Sequence, residues 1–96
     1  MPGWDQLVIA QRELRKSGVP LSVWIGLPYR EGPSSWLAPI RIEGIRDAAP
    51  FEETAHGRDS VEALIHGLET IAAVLDSWNT DDSITWNGAS GHGFPS

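Results

Sequence analysis

Three histidines, His56, His66 and His92, are the only imidazoles in this 96-residue chain, which has no cysteine. Three His could ligate zinc through neutral ring nitrogens. Their spacing matches no short metal motif, and His66 has a helix-face neighbour only in Glu62, four residues earlier. No metal and no other cofactor is expected. Ser90-Gly91-His92 places a hydroxyl close to an imidazole, but nucleophilic catalysis also needs an orienting acid and a firm scaffold. This tripeptide lies in a Gly-rich tail with no nucleophile-elbow pattern around it. Asp76, Asp81 and Asp82 could cluster as carboxylates, yet they read as a solvated helix exit, and Asp81-Asp82-Ser83 lacks a calcium-loop pattern. No catalytic residue is therefore named.

Gly57-Arg58-Asp59-Ser60 precedes a helical pattern and could hold an anion through free N–H groups, with Arg58 and Ser60 as its candidate residues. Asp59 competes with that role. As an N-cap its carboxylate occupies those donors, and its charge repels phosphate. Glu62, three residues on, completes a capping-box pattern. Val61, Leu64, Ile65, Leu68, Ile71, Ala72 and Leu75 then recur at three- and four-residue steps, predicting one long amphipathic helix that Asn79 ends. Gly67 costs this helix roughly 1 kcal/mol against Ala unless a neighbour approaches closely there.

The elements before the helix read as strands. Leu7 to Lys16 reads as a strand or a short helix: Leu7, Ala10 and Leu14 allow a weak helical stripe, but the β-branched Val8-Ile9 pair and the turn at Ser17-Gly18-Val19-Pro20 favour a strand. Leu21, Val23, Ile25 and Leu27 alternate, predicting a half-buried second strand that Pro28 ends. Tyr29 to Ser35 reads as a loop. Trp36 to Ile45 reads as a third strand, with Pro39 placing it at an edge or at a bulge. Arg46 to Thr54 reads as a connection, Ile84-Thr85-Trp86 as a short fourth strand, and residues 87–96 as an irregular Gly-rich tail. Phe94 in that tail either folds back with Trp86 onto the domain or serves as a docking peptide. The expected fold is α+β: a three- to four-stranded antiparallel sheet in β-β-β-α-β order with one long helix on one face.

Residues 1–96 are expected to form a single domain. Thirteen acids against seven Lys and Arg leave a net charge of −6. That opposes general nucleic-acid binding, which needs a basic surface. No apolar run approaches the ~18 residues of a membrane span. With no secretory signal, the cytoplasm is the expected compartment. Five tryptophans are many for this length, and most belong to core and rim packing. Trp24 falls on the outward row of the second strand, on a face the helix leaves open. Trp24, Ser22, Arg12 and Arg41 are the candidate partner-binding residues there. The competing expectation is a solvated cation–π pair of Trp24 with Arg12 or Arg41.

Gly57-x-Asp59-Ser60-x-x-Ala63-Leu64, Gly67-Leu68-x-x-Ile71-x-x-x-Leu75, Trp86 and Gly93-Phe94-Pro95 together resemble a family of small bacterial domains of unknown function. Val23-Trp24-Ile25-Gly26-Leu27-Pro28 and Trp36 extend the resemblance over nearly the whole chain. It implies one stand-alone domain without an assigned activity. The helix start alone is also similar to the small sheet-plus-helix antitoxins of the HicB type. The expected role is a non-catalytic protein–protein interaction domain, homodimeric or immunity- or antitoxin-like. The alternative is a small-molecule-binding protein or minor enzyme with a pocket lined by Trp and His.

Overall fold

A computed structural model describes residues 6–44 and 50–95. Its elements are β1 (Val8–Lys16), β2 (Val19–Gly26), β3 (Tyr29–Gly32), β4 (Ser35–Glu43), β5 (Phe51–Gly57), α1 (Ser60–Trp78), β6 (Ile84–Trp86) and β7 (Ala89–Ser90). All pairings are antiparallel and all seven strands join one sheet. The expectation of three or four strands is thereby corrected: the described residues are mostly β, seven strands with a single helix.

Three strands account for the difference, each with a physical reason. Tyr29–Gly32 continues the line of β2 along β4, pairing Tyr29 with Leu37, so the expected loop is a strand that turns back through Pro33-Ser34. Phe51–Gly57 pairs along β4 from Ile42 to Trp36. Its inward row has only Phe51 and Ala55 as apolar side chains, too weak an alternation to stand out beside Glu52, Glu53 and Thr54. Ala89-Ser90 folds back on Thr85-Trp86 through Asn87-Gly88, whose φ values are 52° and 82°. That is the two-residue Asn-Gly hairpin turn, which takes positive φ at both positions. Ser17-Gly18, with φ of 52° and 80°, joins β1 to β2 in the same way. The expected end of the third strand at Ile45 and the start of the 46–54 connection lie outside the described residues.

Pro39 does not mark an edge. β4 is flanked by β5 on one side and by β2 and β3 on the other. β2 pairs Ile25 with Ile40 and β3 pairs Tyr29 with Leu37, so residues 26–28 stand opposite only 38 and 39. The missing Pro39 N–H coincides with this lapse in the ladder.

The inward rows of β2 and β4 supply Leu21, Val23, Ile25, Ile40 and Ile42, and α1 supplies Ile71 and Leu75. Ile84 joins them from β6 and Leu14 from β1. Phe51 meets Trp78 edge-on at 5.9 Å between ring centroids at one end of this core. Asp59 caps the helix by accepting from the Glu62 N–H at 2.7 Å, and Asn79 is the C-cap.

The helix face differs from the expected stripe. Ala63, Gly67, Ile71 and Leu75 are buried at four-residue steps, whereas Val61 and Ile65 are 62% and 49% exposed. Small residues let the helix backbone settle onto β4 and β5, which turns Val61 and Ile65 to one flank. A Cβ at Gly67 would lie 3.5 Å from Ile40 Cγ2 and 3.8 Å from Ala55 Cβ, ordinary contact distances. Gly67→Ala is therefore expected to stabilise the domain by about 0.5–1 kcal/mol, by improving helix propensity and restricting the unfolded chain. Urea unfolding checks this; an Ala variant less stable than the parent contradicts the described helix–sheet spacing.

Candidate functional site

The two-residue turn at Ser17-Gly18 sets the register of the first hairpin, so Arg12 stands opposite Val23 and Gln11 opposite Trp24. Val23 points into the core, and Arg12 shares its face. Arg12 thus lies on the helix side of the sheet, not beside Trp24 as expected. Trp24, Ser22 and Arg41 do share the outer face. Arg41 Cζ is 5.4 Å from the Trp24 ring centroid, and Arg41 pairs with Glu43 at 2.9 Å and with Glu52 at 3.2 Å. Ser22 Oγ donates to Glu13 at 2.9 Å. Trp24 keeps only 9% of its surface exposed.

On the inner face the C-terminal tail closes over Arg12. Gly91 N–H donates to the Ile84 carbonyl, and Arg12 Nη1 donates to the His92 carbonyl at 3.2 Å. Arg12 Cζ is 3.7 Å from the Trp86 ring centroid and 4.5 Å from that of Phe94. His92 is 8% exposed. The Phe94 N–H donates to its Nδ1 at 3.0 Å, so the ring proton sits on Nε2 and is given to Asp76 Oδ1 at 2.8 Å. Both nitrogens are engaged in holding the tail, and Ser90 Oγ turns instead to Asp82. Gly93 has a φ of 76°, and a Cβ there would overlap the Trp86 ring and approach Arg12 Nη1 to 3.0 Å.

Docking the tail in this way leaves a cleft of about 250 Å³ between β1, β2, α1 and the tail. Ala10, Val23, Ile25, Leu68, Phe94 and Pro95 give it apolar walls, and among the described residues Arg12 is the one ionisable side chain lining it. Val61, Ile65, Leu68, Ala72 and Asp76 follow one stripe of α1 at three- and four-residue steps. Leu68 lines the cleft and Asp76 grips the tail, while Val61 and Ile65, further toward the helix start, are exposed. The tail residues and Arg12 were not singled out together from the sequence. The available signal was the hairpin register, which places Arg12 among inward side chains.

At the helix start the charged groups are already paired. Arg58 is paired with Glu62 at 2.8 Å, and Glu62 also accepts from the Arg58 N–H at 2.8 Å. Ser60 begins the helix beside the Asp59 cap. These hydrogen bonds from the Arg58 side chain and backbone push the Glu62 carboxyl down from 4.5 to about 2. A depressed folded value means the stabilisation is present above pH 4.5 and is lost as pH falls towards about 2. Glu62→Gln is expected to flatten that part of the acid-unfolding curve; an unchanged acid limb would contradict the pairing. His66 Nδ1 lies 2.6 Å from the His56 carbonyl, away from His92. Among the described residues no three His, Asp or Glu side chains come together as a metal group.

A single-sheet domain with one helix and a docked tail defines the class. The chain belongs to the family described as a domain of unknown function, DUF6968, whose profile matches residues 10–96. The matched span includes β1 from Ala10, all later elements and the tail, and so every residue lining the cleft. No curated protein and no solved structure matches the chain. No described helix is long and apolar enough to cross a membrane.

Proposed function

We propose that this domain is a non-catalytic binding module that holds a small molecule in the cleft beneath its C-terminal tail. The carrying observation is the cleft itself: about 250 Å³, apolar walls and one guanidinium. Binding sites are mostly apolar concavities in which a few polar groups orient the ligand. A non-enzymatic role fits the surroundings, because His92 has both nitrogens committed and Ser90 is bonded to Asp82. A homodimer through the outer sheet face has less to support it. Trp24 is nearly covered there, and the surrounding groups are the ion-paired Arg41 and its acids.

The test is a thermal-shift screen of small apolar and amphipathic fragments against the full chain. A ligand at one hundred times its Kd contributes about 2.7 kcal/mol, which raises Tm by roughly 10 °C in a domain of this size. Fragments that raise Tm and broaden or shift the Trp86 fluorescence support the reading. A library without any stabilising compound overturns it.

A further inference from the structure

We infer that the ligand of this cleft is a small monocarboxylic acid with a ring or short hydrocarbon body, its carboxylate seated on Arg12. The inference rests on the cleft being a binding site and adds the ligand's chemical class. A guanidinium has five N–H donors in a planar fork. In Arg12 one of them is engaged by the His92 carbonyl, while Trp86 and Phe94 stack against the group at 3.7 Å and 4.5 Å. Among the described residues no carboxylate pairs with Arg12, whereas Arg41 has two and Arg58 and Lys16 have one each. A partly buried cation against apolar walls with no carboxylate beside it among the described residues is costly, and an anion arriving in the guanidinium plane relieves that cost.

Charge and volume narrow the class. The chain's net charge of −6 repels polyanions such as nucleotides, leaving a singly charged group as the suitable partner. A cavity of about 150 Å³ admits benzene, so about 250 Å³ takes a ring with a two-carbon arm. Ala10, Val23, Ile25, Leu68 and Pro95 would surround that hydrocarbon body, with the acid directed to Arg12.

Calorimetric titration of the full chain with 3-phenylpropionate and with 3-phenylpropanamide tests this. The two probes differ in charge and share shape. The acid is expected to bind about 10-fold or more tightly than the amide, the usual weight of a charge-assisted hydrogen bond. Arg12→Met is expected to abolish that preference and Arg12→Lys to retain part of it, with thermal melts confirming that both variants fold. If Arg12→Met does not fold, the acid-to-amide ratio on the parent chain decides. Equal binding of acid and amide, or a preference that survives Arg12→Met, overturns the carboxylate assignment and leaves the cleft reading standing. Binding of neither probe overturns both.

Discussion

Gly93→Val should detach the C-terminal tail while leaving the rest of the domain folded. Gly93 has a φ of 76°, where a side chain is already strained, and any Cβ would overlap the Trp86 ring. That ring cannot yield cheaply, because Arg12 packs on it at 3.7 Å. The tail must therefore lift, losing the His92–Asp76 bond, the Arg12–His92 carbonyl bond and the Phe94 contact with Arg12. The sheet survives, since Leu21, Ile40, Ile42, Ile71 and Leu75 stay buried against one another, while Phe94 only packs against this core from its partly exposed side. The expected cost is about 2–3 kcal/mol by urea unfolding, from overpacking and backbone strain. Trp86 emission should shift to the red and binding in the cleft should disappear. A variant with unchanged emission and parental stability would mean that the tail is not held as described.

Gly57→Ala should be about as damaging, for a different reason. Gly57 ends β5 beneath the first turn of α1, and a Cβ there would press on backbone, lying 2.7 Å from Glu62 C and 2.8 Å from Ala63 Cα. A side-chain tip could rotate away; a helix backbone packed on Ala38 and Ala55 through Ala63 cannot. Either the first turn frays or the helix slides, and the expected loss is roughly 3 kcal/mol. The contrast with Gly67→Ala is the informative part. Two Gly-to-Ala changes on one helix–sheet interface are expected to have opposite signs, because the same Cβ meets ordinary contact at 67 and backbone at 57. Equal signs in urea unfolding would show that the helix sits differently on β4 and β5.

How much of this was readable in the chain depends on where the information is local. The helix start is written in Asp59 and Glu62, and the structure uses Asp59 as the cap. Glu62 reaches the Arg58 N–H, one residue before the position a capping box would use. Apolar period alone put Val61 and Ile65 on the buried stripe, because it weighs large side chains above small ones. The contact is made through Ala63 and Gly67, whose value lies in closeness to the sheet. Strand β5 was missed because a strand needs few apolar residues when the helix already supplies them. The hairpin at Asn87-Gly88 is legible in its turn dipeptide, but the surrounding Gly-rich composition hides it. Trp24 was placed on the outer face by alternation, but its 9% exposure depends on tertiary packing that alternation does not carry. The cleft depends on a contact between residues 80 apart in sequence, Arg12 and His92, which no local pattern encodes.

The tail, Arg12 and Leu68 of α1 line one cleft. The most direct test is a titration of the ¹⁵N-labelled chain with 3-phenylpropionate, followed by backbone and arginine Nε–H resonances. Saturable shifts are expected at Ala10, Arg12, Ile25, Leu68 and Phe94, with the Arg12 side chain moving most. Shifts centred on Trp24, Ser22 and Arg41, or no saturable shifts at all, would contradict it.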